Sequence, residues 1–325
     1  MKKKFLALLS FAMVFLTACS AFTLEGGMTR DEFYAQDTNQ GATQAGVSEV
    51  IKTPEEIKIG LSLSTLNNPF FVSIQDGVSE IASEQGSEVI SVDAQDDSAK
   101  QQNDVNDLIQ QGVDILLINP VDSAAIVPAV QSANAAGIPV VTLDRASEGG
   151  EVVTLVASDN VTGGEMAAEY IIELAGENAN VVQLEGVPGA SATNERGEGF
   201  ENIANTSLNV LDSQTANFNR AEGLSVMEDI LQSNEGIQGV FAQNDEMALG
   251  AIEAITAAGL LDDIVVVGFD GTDDGIDSVN SGKLAATIAQ QPKEMGRIAV
   301  DTIYAYFRGE QLPTLVSSPL ELIGQ

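Results

Sequence analysis

Polar side chains of a few types follow several strand-like runs of this sequence. Each run ends at an amide, a carboxylate or a guanidinium group. Such planar groups can bond two adjacent hydroxyls, and charge-assisted bonds of this kind contribute about 1.5–3 kcal/mol each when shielded from water. Open α/β sheets bind ligands beyond the carboxyl ends of their strands. We therefore expect one site to contain Asn119, Asp144, Arg145, Asn244, Asp270 and Gln290.

The stretch 59–71, IGLSLSTLNNPFF, joins a predicted buried strand to a predicted helix. Asn68 is typical of a helix N-cap, and Pro69 suits the first helical position. Phe70 and Phe71 cannot both face the core, because neighbours on a helix lie about 100° apart. Either one ring stays near the strand end, or both pack under a loop. With Phe218, such rings could cover the apolar faces of a polyol such as a sugar.

Strand-like and helix-like segments alternate through the chain. Ten strand-like segments lie between residues 58 and 289, and the runs at 115–118 and 264–267 are apolar throughout. Continuous apolar runs indicate strands covered on both faces, and βα alternation predicts parallel sheets. Ten strands suit an α/β protein of two doubly wound (Rossmann-like) parallel-sheet lobes.

The composition excludes several kinds of chemistry. The chain of 325 residues has no histidine and no tryptophan, and its one cysteine, Cys19, allows no internal disulfide and no Cys/His metal site. Its net charge of −34 would repel nucleic acid. We predict no metal and no cofactor, and no phosphate-binding glycine motif is present. The calcium-like run at 270–275 has Ser281 where a calcium loop needs glutamate.

Positive charge is scarce in the middle of the chain. Between Gln101 and Gly282 the only basic residues are Arg145, Arg196 and Arg220. We expect Arg145 to contact a ligand and Arg220 to pair with carboxylates structurally. Asp144 and Asp270 could in principle form a glycosidase pair. The arginine beside Asp144 should favour its ionised form, which argues against an acid role and against an enzyme.

The first residues have the pattern of a targeting segment. Three lysines precede an apolar run that is too short for a comfortable membrane span. The run ends in Leu-Thr-Ala-Cys19, which resembles the lipobox of bacterial lipoproteins; an ordinary cleaved signal is the alternative. We predict a lipoprotein signal at 1–19 and a flexible tether at 20–54.

From about residue 57 onward the chain closely resembles bacterial ribose-binding proteins of ABC importers, which have the type I periplasmic binding protein fold. The resemblance covers about five-sixths of the chain. It rests on the long motifs STLNNPFF (64–71), LLINP (116–120), TLDR (142–145), ASDN (157–160), ERGEGF (195–200), VFAQNDEMALGA (240–251), VVGFDGT (266–272) and GKLAATIAQ (282–290).

The resemblance implies roles for individual residues. Phe70 and Phe71 would stack on one face of a sugar ring and Phe218 on the other, while Phe269 would line the pocket. Ser64 and Asn119 would support the site. The sugar oxygens would be hydrogen-bonded by Asn68, Asp144, Arg145, Arg196, Asn244, Asp270 and Gln290.

The resemblance also implies two discontinuous lobes, at 55–158 with 291–319 and at 159–290 with 320–325. They would close on a hinge over D-ribose for delivery to ABC permease subunits, with a chemoreceptor as a further candidate partner. We expect a monomer outside the cytoplasm, held to the membrane only by its lipid anchor. The alternatives are another ligand (allose, another pentose or a furanose-like signalling molecule), a sugar-responsive repressor, or a sugar enzyme.

Overall fold

A computed structural model describes Ser48 and residues 50–325; the predicted signal, Cys19 and most of the tether lie outside these residues. The described part has two six-stranded sheets. The first sheet contains β1 (Lys58–Leu63), β2 (Glu88–Asp93), β3 (Ile115–Ile118), β4 (Val140–Leu143), β5 (Thr154–Ser158) and β11 (Leu315–Ser318). The second contains β6 (Asn180–Glu185), β7 (Asn209–Thr215), β8 (Gly239–Ala242), β9 (Val265–Asp270), β10 (Ala286–Ala289) and β12 (Glu321–Gly324).

Helices connect most successive strands. The first ends at Gly86, whose φ of +86° gives a left-handed C-cap, a conformation that glycine adopts without steric cost. Among the described residues no helix is long and apolar enough to cross a membrane. The α-helices are α1 (Pro69–Gln85), α2 (Ser98–Gln110), α3 (Val127–Ala135), α4 (Asn160–Ala175), α5 (Ser191–Ser207), α6 (Arg220–Ser233), α7 (Asp245–Ala257), α8 (Asp273–Asn280) and α9 (Pro292–Phe307).

The two sheets repeat one strand order. The first runs β2-β1-β3-β4-β5-β11 and the second β7-β6-β8-β9-β10-β12. Neighbouring strands are parallel, except that β12 pairs antiparallel with β10. The predicted pair of doubly wound lobes is therefore confirmed, but the expected ten strands are corrected to twelve in the described chain. The missed strands β11 and β12 have four residues each and are only partly buried, so they lack a clear apolar pattern.

Each sheet has an apolar core on both faces. Along β3, Ile115 and Leu117 join the core that also contains α1 and α9, while Leu116 and Ile118 join the core with α2 and α3. Alternate side chains of a strand point to opposite faces, so a strand covered on both sides must be apolar throughout. The buried run at 115–118 was predicted for this reason.

The chain passes between the sheets three times: after β5, after β10, and between β11 and β12. These passages lie side by side. Ser158 pairs with Ser318 at the ends of β5 and β11, and the Ser318 hydroxyl donates a 3.2 Å hydrogen bond to the Gln290 carbonyl. We call the part around each sheet a lobe. The lobe limits given above stay a prediction.

Glycines allow α1 and α9 to approach closely in the first lobe. A β-carbon at Gly77 would overlap the carbonyl oxygen of Lys293, and one at Gly296 would overlap that of Ile74. Close backbone approach of this kind leaves no room for a side chain. The two glycines therefore set the distance between helices that cover one face of the first sheet.

The substitution Gly77→Leu should lower the free energy of unfolding by about 1–3 kcal/mol, because the added side chain forces α1 away from α9. Urea denaturation at equilibrium would measure it. Ser79→Leu adds the same side chain at an exposed position of the same helix and serves as the control. Equal midpoints for both variants would contradict the role of Gly77.

Candidate functional site

The first turn of α1 brings one amide and two aromatic rings to the carboxyl end of β1. Asn68 Oδ1 accepts a 2.9 Å hydrogen bond from the Phe70 amide, so the predicted N-cap is confirmed. Phe70 and Phe71 are both buried, with ring centroids 5.2 Å apart in an edge-to-face arrangement. The cap uses the side-chain oxygen of Asn68 and leaves its amide hydrogens for another acceptor.

These residues form one wall of a cavity between the lobes, in a region where about 220 Å³ is not occupied by protein atoms and part of that space is open to solvent. Nine of its lining residues were predicted from the sequence, and five come from each lobe. Ala192, at the start of α5, was missed because a small apolar residue carries no chemical signal. The lining residues are Asn68, Phe70, Phe71, Asp144 and Arg145 from the first lobe, and Ala192, Arg196, Phe218, Asn244 and Asp270 from the second.

A buried carboxylate and a buried guanidinium follow β4. Asp144 has a φ of +63°, a left-handed conformation that aspartate tolerates better than most residues. Its Oδ2 accepts a 3.2 Å hydrogen bond from Asn119, and Arg145 donates to the Pro120 carbonyl at 3.0 Å. Asp144 Oδ1 and Arg145 Nε have no hydrogen-bond partner in the protein. Asp144 Oδ2 lies 3.6 Å from Arg145 Nε, an ion pair beyond hydrogen-bond distance.

The second lobe supplies a similar pair. Arg196 Nη1 lies 3.6 Å from Asp270 Oδ1, and the Gln290 amide donates to the same oxygen at 2.8 Å. Arg196 also donates to Asn160 Oδ1 at 2.9 Å and to the Gln243 carbonyl at 2.6 Å. Gln290 Oε1 is buried without a partner. Asn160 and the Gln243 carbonyl therefore hold the Arg196 guanidinium in place from behind.

Phe218 covers the second-lobe side of the cavity. The Arg145 guanidinium carbon lies 5.4 Å from the centroid of the Phe218 ring. It lies 5.2 Å from the centroid of the Phe71 ring. Phe218 has a φ of +56°, and a β-carbon at Gly186 would overlap its ring. Asn244 caps α7 and donates to the Phe218 carbonyl at 3.3 Å. Aromatic rings from both lobes thus flank one guanidinium.

Four predicted residues are not among those that line the cavity. The Phe269 ring lies 3.9 Å below the Arg196 guanidinium, and Gln290 holds Asp270 as described. Asn119 Oδ1 accepts from the Ser64 amide at 3.1 Å, while the Ser64 hydroxyl is buried without a partner.

Sequence reasoning missed Asn160 and Gln243, which orient Arg196. Gln243 stands beside Asn244 in the motif at 240–251, which was the available signal.

The third isolated arginine has the predicted structural role. Arg220 Nη2 contacts Glu246 at 2.6 Å and Asp274 at 2.7 Å, and the side chain is about a third exposed. These contacts raise the pKa of the Arg220 guanidinium, with the hydrogen bond to Glu246 as the main cause. Arg220 therefore pairs within the second lobe instead of joining the cavity wall.

Burial dominates the electrostatics of the cavity. Asp144, Arg145, Arg196 and Asp270 are each at most 4% exposed. Burial raises the pKa of the Asp144 carboxyl and raises that of Asp270 well above its usual range, although nearby arginines oppose both shifts. Arg145 favours the ionised form of Asp144, as the sequence predicted, but desolvation outweighs this ion pair and leaves the pKa of Asp144 raised. Burial likewise lowers the pKa of both arginines.

Direct hydrogen bonds join the lobes beside the cavity. The Ser123 amide donates to the Gly189 carbonyl at 3.0 Å, and the Ser191 amide donates to the Ser123 hydroxyl at 3.2 Å. The Ala146 amide donates to the Ser191 hydroxyl at 2.9 Å. These three bonds stabilise the closed arrangement of the lobes without any ligand atom.

Comparison with curated proteins gives close relatives. The chain is 52% identical over 322 residues to the ribose import binding protein of Bacillus subtilis (strain 168), covering 99% of both chains. It is 50% identical over 266 residues to the ribose import binding protein of Escherichia coli (strain K12), covering 82% of this chain and 90% of that one.

Solved structures show the same fold. A solute-binding protein of an ABC transporter from Actinobacillus succinogenes with bound D-allose has a TM-score of 0.77 and 31% identity, covering 83% of this chain and 98% of that one. The myo-inositol binding protein of Caulobacter has a TM-score of 0.79 and 30% identity, covering 85% and 96%. The family model described as periplasmic binding protein domain matches residues 59–311. With two doubly wound lobes around a buried polar cavity, the chain belongs to the periplasmic binding protein family, as its sequence motifs predicted.

Proposed function

We propose that this protein captures D-ribose between its lobes by hinge closure and delivers it to the membrane subunits of an ABC importer. One observation carries the proposal. The cavity wall combines two carboxylates and two guanidinium groups, and buried polar atoms of Asp144 and Arg145 in that wall have no partner within the protein. A pentose offers several hydroxyls around its ring that can bond such groups.

The arrangement of side chains supports a sugar over a charged ligand. Two aspartates and two arginines make the formal charge of the wall balanced, so neither an anion nor a cation is favoured overall. Phe70, Phe71 and Phe218 supply apolar surface for the C–H faces of the ring. We assign the hydrogen bonds to Asn68, Asp144, Arg145, Arg196, Asn244, Asp270 and Gln290, with Phe269 behind Arg196.

The relatives support the role in transport. Two of them are named ribose import binding proteins, and their identity to this chain exceeds that of the structural relatives bound to D-allose or myo-inositol. The proposal includes no chemical step on the sugar, so ribose should be recovered unchanged after incubation. Lipid anchoring through Cys19, a monomeric state and a chemoreceptor partner rest on the sequence alone and stay predictions.

Arg145→Ala should raise the Kd for ribose at least about tenfold, because it removes a charge-assisted hydrogen bond in a buried site. Arg196→Ala should do the same from the second lobe. Calorimetric titration of the chain from Ser20 onward with ribose, allose, xylose, galactose and glucose would measure both effects.

Arg220→Ala is the matched control, since Arg220 is the third isolated arginine and pairs with Glu246 and Asp274 outside the cavity. Its Kd should stay within about twofold of the native value, because this partly exposed ion pair contributes no residue to the cavity wall. Tight binding of another sugar in place of ribose would change the proposed ligand and leave the proposed binding site unchanged. Binding of no sugar would refute the proposal.

Gly189→Ala tests closure itself. A β-carbon at Gly189 would overlap the Asp122 carboxylate of the opposite lobe, which is fixed by hydrogen bonds from the Ala124 and Ala125 amides. The variant should bind ribose at least about tenfold more weakly, because part of the binding energy is spent on forcing the lobes together. It should also keep a larger radius of gyration with ribose in small-angle X-ray scattering.

Gly176→Ala is the control for backbone strain. Gly176 has a φ of +91°, close to the +87° of Gly189, but nothing lies within 4 Å of its added β-carbon. Both variants should therefore lose stability, and only Gly189→Ala should lose affinity. An equal loss of affinity in both would count against contact between the lobes as the cause.

A further inference from the structure

Asp245 is a fully buried carboxylate that the cavity wall does not contain. It is the first residue of α7 and lies behind the turn that follows β9. Two glycines make room for it, since a β-carbon at Gly268 or Gly275 would collide with its oxygens. Burying a carboxylate is costly unless the protein hydrogen-bonds it, so this position requires a physical reason.

The carboxylate of Asp245 accepts hydrogen bonds on both oxygens. Thr287 of β10 donates its hydroxyl to Oδ1 at 2.7 Å. Thr272 donates its amide to Oδ2 at 2.8 Å and its hydroxyl at 3.0 Å. The Thr287 oxygen in turn accepts from the Gly271 amide at 3.1 Å. Asp245 therefore ties the Gly271–Thr272 turn to β10.

That turn begins directly after Asp270, which lines the cavity. Asp270 has a φ of +120°, a backbone conformation that is strained for a residue with a side chain. Such a conformation persists only when surrounding bonds hold it in place. On one side Gln290 binds the backbone carbonyl and the carboxylate of Asp270. On the other side the hydrogen bonds to Gly271 and Thr272 lead to Asp245.

We propose that Asp245 is a positioning residue for sugar recognition, which fixes the Gly271–Thr272 turn and Thr287 and thereby holds the Asp270 carboxylate against the ligand. This inference rests on the proposed function. It assigns Asp245 no contact with the sugar. The residue acts through the strained turn, whose geometry decides where the Asp270 oxygens lie.

The protonation state of Asp245 should change the affinity for sugar, so the role of Asp245 can be tested by varying the pH. Burial raises the pKa of the Asp245 carboxyl to about 6. The ionisable groups acting on it across the site are Asp270 and Arg196. The nearby carboxylates Glu246 and Asp274 pair with Arg220. A protonated Asp245 has lost one acceptor site, so it should hold the turn less firmly.

Protonation of Asp245 should have opposite effects on sugar binding and on stability: it weakens binding but favours the folded state. Because folding raises this pKa above its ordinary value of 3.8, the folded protein takes up the proton more readily than the unfolded chain. The contribution of Asp245 to the free energy of unfolding is therefore fully present below about pH 4 and is lost as the pH rises through about 6. At neutral pH, the ionised residue supports binding at a cost to stability.

The test compares Asp245→Asn, Asp245→Ala and Thr287→Val with the native chain by calorimetric titration with ribose. Asparagine resembles the protonated acid, so Asp245→Asn should bind about threefold to tenfold more weakly than the native chain at about pH 7.5. The two Kd values should converge at about pH 5, where native Asp245 is protonated. A merely structural role would not produce this convergence.

The remaining variants control for packing. Asp245→Ala should raise the Kd more than tenfold, and adding Thr287→Val should change it little further, because both residues act through one network. Thr302→Val removes a comparable buried hydroxyl in the first lobe, which donates to the Ile298 carbonyl at 2.7 Å, and should leave the Kd unchanged.

The outcomes separate the inference from the proposed function. Native ribose binding, with Asp245→Asn and Thr287→Val within twofold of the native Kd at every pH, would overturn the role of Asp245 and leave the sugar site standing. If Asp245→Ala fails to fold, the two near-isosteric variants decide the matter. A native chain that binds no sugar would refute the proposed function, and this inference with it.

Discussion

Two buried ion pairs that stop short of hydrogen-bond distance are the constraint on which the cleft depends. Asp144 with Arg145, and Asp270 with Arg196, each leave 3.6 Å between their nearest charged atoms. Buried charges are tolerated when opposite charges and additional hydrogen bonds compensate the lost hydration. Here the charges balance, but the hydrogen bonding is incomplete. The proposed ligand would complete it, so recognition and relief of desolvation are the same event.

The ends of secondary-structure elements hold these charges in place. Asp144, Phe218 and Asp270 all have positive φ values, and such strained backbone is common at functional sites. Asn68 and Asn244 serve as helix caps while they line the cavity. Each cap spends one side-chain atom on the backbone, which fixes the orientation of the remaining polar atoms. Local bonds within each lobe therefore hold the polar atoms that this lobe contributes to the wall.

The sequence predicted the parts of the fold and site that depend on local chemistry. Buried strands such as β3, the Asn68 cap and the polar residues at strand ends can be read from residue types alone. The strands β11 and β12 could not, because they are short and half-exposed. The residues that orient Arg196 were also missed, because the contacts of Asn160 and Gln243 with Arg196 depend on tertiary packing, although both residues lie within the motifs at 157–160 and 240–251. The raised pKa of Asp144 depends on burial, which is a property of the closed lobes.

The three neighbouring passages between the sheets have a mechanical consequence. A single connection would allow one lobe to swivel, tilt and slide relative to the other. Three connections in a row, bonded together at Ser158, Ser318 and Gln290, resist torsion and shear and leave bending as the easy motion. The relative position of the outer surfaces of both lobes is then a function of one angle. A membrane partner that contacts both lobes could bind the closed angle in preference to open ones, and so distinguish a loaded protein from an empty one.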